Sequence, residues 1–218
     1  MKPHISKRRN HALTLIEVLV VIVLLVVLAA ILLPMLAAAK KKSSRIGCVN
    51  NLKEIGLAFR IWEGDNGDKY PMEISVTNGG SMELVVTGNA LTTFLVLSNE
   101  LGTPKILHCP EDTEHIGTNS FAVLASLNIS YFIGADVTNE MNPQMILSGD
   151  DNFEISGVAV KSGLLEISSH TPVAWSAARH KFAGNIGFAD DSVQHTTSLG
   201  MRGYLQQTDV ATNRLAIP

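Results

Sequence analysis

Val18 to Leu33 is an unbroken run of sixteen residues without a polar side chain, VLVVIVLLVVLAAILL. Extended to Leu13–Leu36, the segment holds 24 residues interrupted only by Thr14, Glu17 and Pro34. As a helix rising about 1.5 Å per residue it reaches roughly 36 Å, enough to cross a hydrocarbon core of about 30 Å. The run therefore predicts a membrane-spanning helix. Pro34 removes a helix hydrogen bond and crowds the preceding turn, so a kink is expected near the far end. Lys2, Lys7, Arg8 and Arg9 precede the run and Lys40, Lys41, Lys42 and Arg45 follow it. With cations on both flanks, charge alone does not orient the segment.

Three readings of this segment compete. A secretory signal peptide would pair the basic leader and apolar run with Ala37-Ala38-Ala39 as a cleavage site. The apolar run is longer than such peptides use, and Glu17 sits inside its first turns. A plain uncleaved anchor explains neither Glu17 nor the residues before it. The third reading starts from Ala12-Leu13-Thr14-Leu15-Ile16-Glu17, placed directly after the basic leader. This resembles the processing site of type IV pilins and type II secretion pseudopilins, with Ala12 and Leu13 where that family usually has Gly and Phe. The resemblance implies cleavage by a prepilin peptidase between Ala12 and Leu13, methylation of the new N-terminus, and a leader held in the cytoplasm. A carboxylate in a spanning helix costs roughly 2.5–3.5 kcal/mol, so Glu17 needs a role. The resemblance supplies one: neutralising the Leu13 amine of a neighbouring subunit during assembly. Pro34 is likewise a feature of pilin-like helices, at which filaments stretch or repack.

Beyond the lysines, Ile46, Val49, Leu52, Ile55, Phe59 and Trp62 recur at three- to four-residue spacing, one stripe of an amphipathic helix. A single helix from about Thr14 to about Trp62 is expected, ended by the turn residues Gly64-Asp65-Asn66-Gly67-Asp68. Short strands are expected at Met82–Thr87, Lys105–Cys109, Ile129–Ile133, Gln144–Leu147, Val173–Ser176, Ile186–Ala189 and Ser192–Thr196, with helices at Thr92–Glu100 and Leu199–Gln207. The last two strands flank Asp190-Asp191 and read as a hairpin, in which glycine would suit the positive φ of the turn better than Asp191 does. Cys48–Ala58, Ser98–Pro110 and Thr212–Pro218 resemble a large pseudopilin-like group of planctomycetes and verrucomicrobia. The nine residues between His180 and Asp190 resemble that group's C-terminal motif of His, nine residues, Asp-Gly, with Asp191 in place of the glycine.

Charge narrows the partners. From Ile46 to Pro218 there are 19 acids against 9 lysines and arginines, a net of −10. A nucleic-acid surface needs clustered cations, so no nucleic-acid partner is expected. Cys48 and Cys109 are too few for a disulfide scaffold or a four-thiolate zinc site. In an oxidising compartment they either bridge, closing a loop worth about 4 kcal/mol in the chain-entropy view, or remain as two buried thiols. His180 with Asp190, or His195 with Asp191, would be the pairs for a hydrolase, with Ser176 or Ser192 as nucleophile. No nucleophile elbow, helical zinc-ligand spacing or phosphate loop accompanies them, so a structural His–Asp hydrogen bond and no catalytic residue is the reading. Asp150, Asp151, Asp190 and Asp191 offer oxygen ligands for calcium, without EF-hand spacing. No metal or other cofactor is expected beyond that calcium hypothesis. Asn128-Ile129-Ser130 matches a glycosylation sequon, which means little in the bacterial setting the resemblance implies.

The expected fold class is α+β and pilin-like. A basic leader (1–12) precedes a transmembrane assembly helix (13–39), then a neck helix packed on a mainly antiparallel β-sheet head (40–218). The expected function is a structural subunit of a pseudopilus or type IV pilus-like filament tied to type II-like secretion. Its partners would be the prepilin peptidase, copies of itself and other pseudopilins, an inner-membrane assembly platform and membrane lipid. It would sit in the bacterial inner membrane with its head in the periplasm, or in an extracytoplasmic filament. A membrane-anchored adhesion module that never polymerises and a secreted hydrolase are the alternatives.

Overall fold

The computed structural model describes residues 14–139 and 141–218. The leader and the Ala12–Leu13 junction lie outside the described residues. The chain divides into two compact units, residues 1–42 and 43–218. One helix, α1 (Leu15–Asp65), supplies the described part of the first unit and opens the second, and it runs helically through Pro34. In the first unit the apolar side chains from Leu15 to Leu36 are exposed, and the segment is long and apolar enough to cross a membrane. The chain thus has the long N-terminal helix with an apolar stretch, followed by antiparallel sheets, of an α+β pilin-like architecture.

In the second unit the buried row of α1 is Cys48, Leu52, Ile55, Phe59 and Trp62. Spacings of four and three residues keep these on one stripe. Ile46, expected at the head of the row, is 52% exposed. Cys48 takes that place because its sulfur is tied into the head. After the turn at Gly64–Asp68 come the short helices α2 (Met82–Val85), α3 (Ala90–Val96) and α4 (Ser98–Leu101). The expected strand at Met82–Thr87 is therefore corrected to α2. Glu83 accepts from Ser75 Oγ and Val76 N, and Val85 N donates to Ser81 O, so local bonds wind a β-branched stretch that pairing would have extended. The expected strand at Lys105–Cys109 is a 3-10 turn over Pro104–Leu107. Proline fits its start, and the Thr103 hydroxyl accepts from Lys105 N.

The strands are β1 (Tyr131–Gly134), β2 (Ile146–Asp150), β3 (Phe153–Ile155), β4 (Val158–Ala159), β5 (Gly163–Ile167), β6 (Val173–Trp175), β7 (Ala183–Phe188), β8 (Val193–Thr197) and, after helix α5 (Ser198–Gln207), β9 (Asn213–Ile217). Six form one sheet in the order β5-β9-β1-β2-β7-β8; β4-β3-β6 form a second, smaller one. All pairings are antiparallel. The two faces of the large sheet feed two apolar clusters. Tyr131, Ile133, Leu147 and Ala216 pack with the stripe of α1, whereas Phe132, Ile146, Leu215 and Ile217 pack with Met201 and Leu205 of α5 and with the small sheet. Alternation along each strand sends successive side chains to opposite clusters, so β1 and β2 are buried on both faces. On the second side Phe132, Phe153 and Trp175 stack at centroid spacings of 5.2 and 4.7 Å. Gly184 lets that indole approach: a Cβ there would sit 2.5 Å from the Trp175 ring.

Candidate functional site

The described part of the N-terminal segment begins with a reciprocal cap. Glu17 Oε2 accepts from Thr14 N at 2.8 Å and from Thr14 Oγ1 at 3.0 Å, while Glu17 N donates to Thr14 Oγ1 at 3.3 Å. Threonine followed three residues later by glutamate is a capping-box pattern, and each side chain satisfies a donor that the first turn leaves open. This spacing was readable in Thr14-Leu15-Ile16-Glu17. It holds the carboxylate at the very start of α1, against an otherwise apolar and exposed surface.

The second concentration of polar groups is buried where α1 meets the head. It is built from the segment after the 3-10 turn (Cys109–His115), the ends of β1 and β2, and the residues that enter β7. Cys48 and Cys109 are joined in a disulfide with Cα atoms 5.1 Å apart, which ties α1 to the first of these. Asn51 adds hydrogen bonds to His108 O at 2.9 Å and Tyr131 Oη at 3.2 Å, and Arg45 donates to His180 O at 3.2 Å.

Behind the disulfide, Arg179 is the buried cation. Its guanidinium donates to Ser130 O at 2.9 Å, lies 3.2 Å from Asp112 Oδ2 and pairs directly with Asp151 Oδ1. Asp112 also accepts from the Glu114 and His115 backbone amides, the Ser130 hydroxyl at 2.6 Å and His115 Nδ1 at 2.8 Å. Burial works against the Asp112 carboxylate. The His115 and Ser130 hydrogen bonds and the Arg179 charge outweigh it and hold its pKa well below the usual range. The same bond to Asp112 raises the pKa of His115, whose Nε2 lies 3.7 Å from Asp151 Oδ2. Asp151 and Asp150 go the other way: burial pushes both up to about 6, against the pull of Arg179. Arg179 and His115 thus stand among three buried carboxyls.

His180 occupies the far side of this cluster. It begins a left-handed turn of three successive non-glycine residues, His180, Lys181 and Phe182, with φ of 51°, 53° and 62°. Such a run costs of order 1–2 kcal/mol per residue and persists only where surroundings dictate it. Here Arg179 and His180 are anchored inside, while Lys181 and Phe182 stand exposed. His180 Nδ1 faces Glu111 Oε2 at 3.0 Å. Its Nε2 lies 3.4 Å from Asp150 Oδ2, 3.4 Å from Asn185 Nδ2 and 3.5 Å from Cys109 Sγ. Burial, with Arg179 and Arg45 nearby, keeps the His180 pKa below its ordinary value despite Glu111.

This arrangement corrects the expected His–Asp pairings. The carboxylates facing His180 are Glu111 and Asp150, not Asp190, and His195 Nδ1 lies 3.0 Å from Asn185 Oδ1 rather than bonding Asp191. Asp190 instead accepts from Ser192 N at 2.9 Å within the β7–β8 turn, and Asp191 takes the positive φ of that turn, 67°. The four aspartates considered for calcium fall into unlike settings. Asp150 and Asp151 face Arg179, Asn185 and histidines, while Asp190 and Asp191 form the hairpin turn. Sequence reasoning missed Asp112, His115, Ser130, Arg179 and Asn185. The one available signal was Asp150-Asp151 directly after an apolar strand, which demands a buried cation.

Against this structural background, residues 7–33 match the family model described as the prokaryotic N-terminal methylation motif. No curated protein and no solved structure matches the chain. The chain carries a prepilin-type methylation motif on a transmembrane-capable helix joined to an α+β head, and it is type IV pilin-like.

Proposed function

We propose that the chain is a structural subunit of a pseudopilus or type IV pilus-like filament, cleaved by a prepilin peptidase between Ala12 and Leu13. The observation that carries this reading is the methylation motif over residues 7–33 in register with Glu17 and an apolar helical surface left exposed from Leu15 to Leu36. An apolar helical surface of this length needs lipid or other helices around it. In the membrane the partner is lipid; on extraction into a filament it is the same segment of neighbouring copies or of other pseudopilins, delivered by an inner-membrane platform of a type II-like secretion machine. The head then lies outside the cytoplasm, in keeping with the Cys48–Cys109 disulfide. The role is structural rather than catalytic, a reading favoured by Asp190 accepting from Ser192 N in the β7–β8 turn while His180 faces Glu111 and Asp150.

Mass spectrometry of the mature chain tests this directly. An N-methylated Leu13 terminus is expected. A terminus at Lys40 would establish a signal peptide, and an intact Met1 terminus a plain anchor, either of which removes the filament reading.

A further inference from the structure

We propose that Cys48, Cys109, His180 and Asp150 form a second, reduced-state site that binds a soft tetrahedral divalent cation, Zn2+ in particular. The Cys48 Sγ, Cys109 Sγ and His180 Nε2 atoms lie within 4.8 Å of one another, and all three residues are buried. Asp150 Oδ2, which accepts from Asn185 N and Nδ2, is 3.4 Å from the same histidine nitrogen and would move in as the fourth ligand. Zinc takes four such ligands at about 2.0–2.3 Å in closed structural sites, so the two sulfurs, bonded to each other in the disulfide, would separate to roughly 3.7 Å as they ligate an ion.

Two further features of the cluster suit a metal better than they suit a disulfide alone. The second ring nitrogen of His180 faces Glu111 Oε2 at 3.0 Å. His180 Nδ1 makes no hydrogen bond in the disulfide state, and a small turn of the ring that lets it donate to Glu111 would aim the other nitrogen's lone pair at the ion, the usual support behind a ligating histidine. Asp150 is fully buried, and its Oδ1 has no hydrogen-bond partner among the described residues. A disulfide is neutral and offers this carboxylate nothing, whereas a cation in the cluster gives it a counter-charge.

The chemistry is an exchange between two closures of the same loop. A dithiol or phosphine reductant supplies two electrons, and two protons are taken up as the S–S bond breaks to give two thiols. The cation then displaces both protons as the two S–metal bonds form. Oxidation by a disulfide donor withdraws two electrons from the thiolates, re-forms the S–S bond and releases the ion. Either state pins α1 to the segment after the 3-10 turn, so the head can be held together before as well as after oxidation.

The test uses the full chain in detergent, reduced with a phosphine and titrated with Co2+ in place of Zn2+. Expected are the near-ultraviolet thiolate-to-cobalt and visible bands of a tetrahedral site, saturating at one ion per chain and abolished by Zn2+. The unreduced chain and the reduced C48S/C109S chain should show neither. Glu111→Gln should weaken binding about tenfold. Zn2+ should also slow alkylation of both thiols in the reduced wild-type chain, a readout that needs no variant to fold. If reduction loosens the head, Zn2+ should restore its circular dichroism. Reduced wild-type chain that gives no tetrahedral cobalt spectrum, or whose thiols alkylate equally fast with and without Zn2+, overturns the proposal.

Discussion

A buried carboxylate oxygen without a partner is costly, and Asp191 carries one at Oδ1. Burial and the neighbouring Asp190 raise its pKa, against the pull of Arg60. The residue also holds a positive φ that glycine adopts freely. Asp191→Gly should therefore stabilise the head by about 1 kcal/mol, through relief of both penalties. The same carboxylate sets a limit on α1: a Cβ at Gly56 would meet Asp191 Oδ1 at 2.3 Å. Gly56→Ala alone should lower the melting temperature, and Gly56→Ala with Asp191→Gly should recover it. Additive effects in that cycle would show that the two residues do not touch.

His115 gives the residue scale its pH dependence. Its pKa is raised first by the hydrogen bond to Asp112 and then by the Asp151 charge, against burial and Arg179. A histidine raised in the folded state contributes stability that is full below its ordinary value of 6.5 and is lost as pH rises through the folded value. Asp112, depressed, contributes above its ordinary 3.8 and fails only in strong acid. Asp150 and Asp151, raised to about 6 by burial, cost stability as pH rises from their ordinary 3.8 to about 6 and add no further slope above it. Near neutrality His115 is the one of these four groups that still titrates. The melting temperature should fall as pH rises above about 6.5, through His115. His115→Gln should cost roughly 1–2 kcal/mol at the lower pH and flatten the slope. A steeper slope in the variant would contradict the assignment.

At the scale of elements, α1 was the most legible part of the sequence, because a long apolar run followed by a three-four spacing admits one periodicity over fifty residues. Its cap at Thr14 and Glu17 was equally visible, because threonine followed three residues later by glutamate is the spacing of a capping box. The β7–β8 hairpin followed from its Asp-Asp turn. The closing strand β9 did not, because Asn213–Ile217 carries no turn partner in sequence; it inserts between β5 and β1, which precede it by dozens of residues. Met82–Thr87 misled for the opposite reason: its valines favour a strand, but no neighbouring strand takes it up. The buried polar cluster was invisible because five separate segments contribute to it. The Cys48–Cys109 bridge is the link that makes α1 part of the head. In the chain-entropy view a loop of 61 residues is worth about 4 kcal/mol. C48S/C109S should lose about 2–4 kcal/mol to denaturant while keeping its circular dichroism, because Leu52, Ile55, Phe59 and Trp62 still bury the rest of the stripe. Complete loss of α-helical signal in the first unit and head together would show that packing alone does not hold the neck.

At the scale of the whole molecule, Glu17 separates a helix that merely anchors from one that assembles. Its carboxylate is now accounted for in a single chain by Thr14, so loss of assembly in Glu17→Ala has two explanations: a missing counter-charge for the Leu13 amine of a neighbour, or a frayed first turn. The cap is worth about 1 kcal/mol and needs only an acceptor, which glutamine supplies in a capping box as well as glutamate does. The counter-charge needs the negative charge itself, at membrane depth where an unmatched ammonium costs roughly 2.5–3.5 kcal/mol. Glu17→Gln keeps the first and removes the second. Both Glu17→Ala and Glu17→Gln should insert and be cleaved at Leu13 as the wild type is, since removing a carboxylate eases insertion. Both should give few ordered multimers when apolar segments of neighbouring copies are crosslinked in the membrane. Wild-type crosslinking from Glu17→Gln with loss in Glu17→Ala would assign the residue to the cap. Wild-type crosslinking from both would leave the chain an anchor, with its filament role withdrawn.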